Sequence, residues 1–182
     1  MRRDVAALAL AAATLLPVVA ACSHSGSNQS QSPESSSSAS GQGKHGPMFP
    51  QCGGVSDETV NNLTKVTGLV NTAKNSVGCQ WLAGGGILGP HFSFSWYRGS
   101  PIGRERKTEE LHGASVNDID IDGHKGFVAV RADPKFSDYY CDIGIQYQDD
   151  FIDWSISVRK KPSLDLCNVA KELSRQSIAA AT

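Results

Sequence analysis

Apolar positions fall into three regimes along the chain. From Val5 to Val19 they are almost unbroken, interrupted only by Thr14 and Pro17. From Ser23 to Ser40 they nearly vanish: ten of these eighteen residues are serine, and Ala39 is the sole hydrophobe. Beyond residue 46 they return with the periods of a folded domain. Ser56-Asp57-Glu58 predicts a helix start, with Ser56 as N-cap and acids in the first turn. Val60, Leu63 and Val66 follow at helical spacing, and Gly68 is placed to close the helix. Val77, Cys79 and Trp81 alternate with small or polar residues, as in a strand with one buried face. Phe92, Phe94 and Trp96 alternate with Ser93 and Ser95 in the same way. Between these two strands, Gly84-Gly85-Gly86 and Gly89-Pro90 mark a turn.

A polar stretch follows, with a short helix expected around Glu105–Leu111. Strands Val116–Ile121 and Phe127–Arg131 are joined through Asp122-Gly123, a hairpin signal. Tyr140–Tyr147 and Phe151–Val158 form a second hairpin across Asp149-Asp150. Asp165 then caps a last helix with Leu166, Val169, Ala170 and Leu173 on one side. The order predicts an α+β fold. Its core is a single antiparallel sheet of about six strands, with N- and C-terminal helices packed on one face.

The first regime reads as a targeting signal. Met1-Arg2-Arg3 is a basic leader, and fifteen helical residues span roughly 22 Å, short of the roughly 30 Å of a hydrocarbon core. The run ends in Val19-Ala20-Ala21-Cys22, which resembles the bacterial lipobox. That resemblance implies cleavage before Cys22, a diacylglycerol on its sulfur and an acyl chain on its new amine. Several chains on one residue anchor stably where a single chain binds only marginally. The serine-rich segment cannot offset its backbone entropy by burying apolar area, so it is expected to be a disordered tether. Its root-mean-square reach is roughly 25–30 Å. The expected organisation is therefore a signal over 1–21, a tether over 22–46 and a globular domain over 47–182. His24 and His45 fall in the tether and are read as solvated.

Formal net charge is −1, from 17 Lys+Arg against 18 Asp+Glu. Loss of Arg2, Arg3 and Asp4 with the signal removes one net positive charge and leaves −2. No nucleic-acid partner is expected at that balance, since such binding needs a basic face. Of five cysteines, Cys22 goes to the membrane, which leaves Cys52, Cys79, Cys141 and Cys167. An even number outside a reducing compartment reads as two disulfides. Cys79 and Cys141 share the apolar faces of their strands, Cys52 precedes the first helix, and Cys167 opens the last. Cys52–Cys79 and Cys141–Cys167 are the expected pairs, each stapling a helix start to the sheet. None of the four belongs to a Cys-x₂₋₄-Cys pair, so no zinc site is expected.

Candidate chemistry is sparse. Asp118, Asp120, Asp122 and Gly123 open like a calcium loop, but Ala129 stands where the bidentate Glu is needed. A polar-faced hairpin is the better reading. Gly84–Gly89 lacks the Lys-Ser/Thr of a phosphate loop. His91, His112 and His124 lie in no hydrolase or metalloprotease frame. No catalytic residue, metal or cofactor is therefore expected. Arg98, Arg104, Arg106 and Lys107 form the one basic cluster visible along the chain, with Glu105, Glu109 and Glu110 beside it. Phe92, Phe94 and Trp96 are candidates to line an apolar ligand groove between sheet and helices.

Four segments, Pro50–Val55, Thr67–Asn71, Val77–Leu82 and Gly84–Leu111, resemble an actinobacterial lipoprotein family whose domain has no assigned function. Cys-x-Trp in a strand and a cysteine opening the last helix belong to the same likeness. Leu166 stands where related sequences often carry Pro. The resemblance implies a lipoprotein anchored through Cys22 on the outer face of the cytoplasmic membrane. It reinforces the disulfide pairing and supplies no catalytic residues. Two functions are expected on this basis. One is a non-enzymatic binding or scaffolding module with an envelope protein or lipid as partner. The other is a carrier of an apolar envelope molecule, a lipid or glycolipid.

Overall fold

The computed structural model describes residues 43–182 except 85, 87, 134, 136, 137, 161 and 162. The expected signal, Cys22 and nearly all of the expected tether lie outside the described residues.

The domain opens with a 3-10 turn at Gln51–Gly54 and helix α1 at Asp57–Thr64. Strands β1 (Leu69–Lys74), β2 (Gly78–Ala83) and β3 (His91–Tyr97) follow. After helix α2 (Ile102–Leu111) come β4 (Ser115–Ile121), β5 (His124–Asp133), β6 (Asp138–Tyr147) and β7 (Asp150–Val158), then helix α3 (Leu166–Ala180). All strands join one antiparallel sheet in the order β1-β2-β3-β7-β6-β5-β4. The predicted class holds, with seven strands where about six were expected.

The extra strand is β1, an edge strand whose residues are exposed except for Leu69 and the half-buried Asn71, so it carries no alternating signal. Helix α1 ends earlier than expected, at Lys65 in the left-handed conformation (φ 55°) rather than at Gly68. In β2, Cys79 and Trp81 are buried as expected, but Val77 precedes the strand and is exposed. The β6–β7 turn falls on Gln148-Asp149, with Gln148 at φ 53°, and Asp150 pairs with Tyr147 as a buried strand residue. The β4–β5 turn does fall on Asp122-Gly123, where both residues have positive φ as a two-residue hairpin of this type requires.

Strand alternation divides the sheet into two unlike faces. Cys141, Ile143 and Ile145 of β6, Ile152, Trp154 and Ile156 of β7, and Phe92, Phe94 and Trp96 of β3 form the apolar face. The two terminal helices cover it, as predicted. Trp154 is at its centre, stacked on Trp81 at 5.7 Å and tilted against Phe94 at 5.4 Å. Its indole N–H donates to Ser177 Oγ of α3 at 3.0 Å. Gly53 makes the close approach of the 3-10 turn to α3: a Cβ there would lie 2.3 Å from Ser177 Oγ, and its φ is +65°. Trp81 Nε1–H and Asn71 Nδ2–H both donate to Asp57 Oδ1, at 2.7 and 2.9 Å, tying the start of α1 to β1 and β2.

Helix α2 covers part of the opposite face, where Tyr140 O–H donates to Glu109 Oε1 at 3.2 Å. It begins three residues earlier than expected and buries only Glu109, so its sequence carries no apolar stripe.

Both disulfides have the expected pairing, Cys52–Cys79 and Cys141–Cys167. They close loops of 27 and 26 residues, each worth about 3.5 kcal/mol by chain entropy. Replacing Cys141 and Cys167 together with Ala should lower unfolding stability by about that amount. Non-reducing peptide mapping should recover only the two pairs, and a Cys79–Cys141 crosslink would contradict them.

Candidate functional site

Helices α1 and α3 share the apolar face unequally. Helix α3 has fifteen residues and α1 only eight, so at about 1.5 Å per residue they are roughly 22 and 12 Å long. Beyond the end of α1 the apolar face borders an opening, with its sheet residues Phe92 and Val158 still buried. An open cavity of 440 Å³ lies there, at the first residues of β3, the last of β7 and the first turn of α3. That size suits a small-molecule site. Val66, Leu88, Pro90, Phe92, Val158, Leu164, Leu166 and Val169 supply apolar wall. Leu88 is 68% exposed at the mouth, extending the wall into solvent.

Among the described residues, the charged ones lining this cavity are all basic: Lys65 from the end of α1, and Arg159 and Lys160 just after β7. All three are exposed, and among the described residues none of them forms an ion pair with an acid. Asp165, the acid nearest in sequence, is turned to α3, where its Oδ1 accepts from the N–H groups of Cys167 and Asn168. This is a second basic cluster, assembled across more than ninety residues, and a reading along the chain finds only the first. The run Arg159-Lys160 was the available signal.

That first cluster is spent on local pairs. Arg98 Nε lies 3.6 Å from Asp150 Oδ2 and its guanidinium covers Trp96. Arg104 donates to Ser100, Arg106 pairs with Glu110 and Asp118, and Lys107 Nζ lies 2.8 Å from Glu110.

All three aromatics expected to line a groove are core, and of them Phe92 alone, 2% exposed, also borders this cavity. Phe94 is 1% exposed beneath Gly53, and Trp96 packs edge-on against Phe49 at 5.6 Å. The histidines stand on separate elements. His91 Nε2 bonds Gln80 at 2.9 Å, and burial holds its pKa below the usual value. His112 ends α2, and His124 packs on Tyr147. The calcium-like acids serve their hairpin, where Asp120 accepts from the Gly123 N–H at 2.9 Å and Asp122 lies 3.5 Å from Arg175. Among the described residues, no group of three or more His, Cys, Asp or Glu is placed to hold a metal ion.

His45, expected in solvent, is tied to the fold. Its Nδ1 lies 2.8 Å from Asp150 Oδ1, and the N–H groups of Gly46 and Gly99 donate to the same carboxylate. Burial works against the Asp150 charge, but these bonds outweigh it and hold the carboxyl below the usual range. The chain thus enters the domain at the Asp150 end of β7, about 26 Å of strand from the cavity at Val158.

On the opposite face, two buried acids sit on neighbouring strands. Asp142 and Asp153 share a side-chain hydrogen bond, beside Glu105 and Glu109 of α2 and Tyr140 of β6. Burial raises Asp142 to about 6, against the lowering effect of the Asp153 bond, and Glu109 and Glu105 raise it further. Burial and the Asp142 charge push Asp153 well above the usual range. Asp142 is 1% exposed, and neither acid lines the apolar cavity. The pair is a proton-holding element of the fold beneath α2.

The family model described as a protein of unknown function, DUF3558, matches residues 17–180. Proteins carrying the provisional name lipoprotein LprB are similar over the whole chain. Those of Mycobacterium tuberculosis (strain ATCC 25618 / H37Rv) and Mycobacterium bovis (strain ATCC BAA-935 / AF2122/97) are 65% identical, over 98% of both chains. That of Mycobacterium leprae (strain TN) is 64% identical, over 98% of both chains. Their names state no activity. No solved structure matches the chain.

The acid pair sets a pH dependence. The folded Asp142 holds its proton to higher pH than an unfolded aspartate, so the native state binds more protons from about pH 4 to 6, and stability falls as pH rises through that window. Asp153 extends the decline upward. The lowered Asp57 and Asp150 act oppositely, with stability lost only as pH falls below about 4. The lowered His91 opposes this trend below the usual histidine value, so thermal melts should show the acid pair alone contributing on the order of 2 kcal/mol more stability near pH 5 than near pH 8. Asp142→Asn with Asp153→Asn should flatten the slope; an unchanged slope would contradict the assignment.

Proposed function

The chain belongs to the DUF3558 family, and from that premise we propose a membrane-anchored envelope lipoprotein whose domain binds an apolar envelope molecule without chemical turnover. Its mature chain begins at Cys22, acylated on sulfur and amine, and is held at the outer face of the cytoplasmic membrane. The lipobox Val19–Cys22 and the lipoprotein name of its relatives support the anchor. No helix among the described residues is long and apolar enough to cross a membrane. The serine-rich run Ser23–Ser40 then links that anchor to the domain.

The observation that carries binding is the apolar cavity beyond the end of α1. Closed packing of that gap would bury more apolar area at about 25 cal/mol per Å². Leaving Leu88 exposed and Leu164 and Leu166 only half-buried beside an open space forgoes that gain. A ligand with an apolar body restores it. This favours binding of a small apolar molecule over a purely scaffolding role.

Cys22→Ser should move the protein from the membrane fraction to the soluble fraction, and intact mass should place the diacylglycerol on Cys22 of the unsubstituted chain. Retention of the Cys22→Ser protein in membranes would contradict the anchor. Native mass spectrometry of the full chain from its own host should detect a non-covalent adduct. Leu164→Asp, which sets a carboxylate in the cavity wall, should lose it. A clean unliganded mass for the unsubstituted chain would contradict the binding.

A further inference from the structure

We propose that the ligand is an anionic amphiphile, its apolar chain lying along Phe92, Leu164 and Leu166 and its phosphate-bearing head meeting Lys65, Arg159 and Lys160. This rests on the apolar-molecule reading above and adds the chemistry of the head group.

The case is one of charge placement. The chain carries slightly more acid than base, and most described cations near acids are paired to them, as in Arg98–Asp150, Arg106–Glu110 and Arg175–Glu172. Lys65, Arg159 and Lys160 instead face one apolar cavity with no acid among its described lining residues. Three like charges around one opening repel each other, a cost that an anion in their midst turns into attraction. Arginine supplies a planar fork suited to phosphate, and lysine a mobile point charge.

The positions of the three cations are set by the fold. Lys65 takes the left-handed residue that ends α1, a conformation that glycine or asparagine adopts at less cost. Arg159 and Lys160 leave β7 directly after Val158, itself part of the wall. Charge and apolar surface therefore adjoin along the same two edges, as a single-chain lipid requires. The cavity also lies at the far end of β7 from Asp150, where His45 and Gly46 are bonded, so these two residues leave its mouth free.

The test uses the full chain in titrations with lysophosphatidylglycerol, lysophosphatidylcholine and inorganic phosphate. The anionic lysolipid should bind at least about tenfold tighter than the zwitterionic one at low salt, and the gap should narrow as salt screens the rim. Replacing all three cations (Lys65→Asn, Arg159→Gln, Lys160→Gln) should abolish the preference while leaving weak binding of both lipids. These sites are exposed, and Asn suits the left-handed position, so the fold should survive. Equal affinity for the two lipids would overturn the head-group assignment and leave the apolar cavity standing. Binding of neither lipid would overturn the cavity reading itself. Inorganic phosphate binding as tightly as the anionic lysolipid would also overturn the proposal, since it would make the rim a plain anion site.

Discussion

Fixation of α3 across the apolar face is the constraint on which the rest of the domain depends. The Cys141–Cys167 disulfide holds its first turn to β6. The bond from Trp154 to Ser177 holds its last turns over the centre of the sheet, and the backbone pairing of Met48 with Thr182 closes the far end. A helix pinned at both ends cannot slide to fill space elsewhere. Helix α1 is pinned too, by Asp57 to Trp81 and by Cys52–Cys79 just before it, and it stops after eight residues. The opening beside Phe92 and Val158 is what two fixed helices of unequal length leave on one sheet.

The two sheet faces follow different physics. The apolar face is an aromatic core around Trp154, where truncation of one large ring would cost roughly 3–5 kcal/mol. The α2 face is mixed, with Phe127, Ala129 and Phe151 buried beside polar groups. It buries Asp142, Asp153 and Glu109, with one oxygen of each lacking a hydrogen-bond partner among the described residues. A carboxyl in such surroundings is cheaper neutral than charged, which is why burial raises both aspartates. Helix α2 is docked by the Tyr140–Glu109 bond and by surface ion pairs, with Ile102 beside the buried Phe127. The apolar cavity and the buried acid pair lie on opposite sides of the sheet.

Much of this is legible in the sequence, for specific reasons. Phe92, Phe94 and Trp96 alternate strictly, so their strand and its buried face were unmistakable. The disulfides followed from placing each cysteine on an element. Strand β1 was missed because an exposed edge strand has no buried face to imprint an alternation. The β6–β7 turn slipped by one residue because Gln148 takes a positive φ without being Gly, Asn or Asp. For the site, alternation shows that three aromatics share a face but not which of them a helix covers. Phe94 and Trp96 lie under the 3-10 turn and Phe49, and Phe92 lies past the end of α1. The basic rim was invisible for a different reason, since Lys65 meets Arg159 and Lys160 only through the pairing of β3 with β7 and the end of α1.

The central claim is that the gap beyond α1 is where this domain holds its ligand. Photocrosslinking tests it most directly, with the full chain and a lysophosphatidylglycerol carrying a photoreactive group in its acyl chain. Peptide mapping should place the crosslinks on Val66, Leu88, Phe92, Leu164 and Leu166. Crosslinks confined to the α2 face, or spread evenly over the surface, would contradict it.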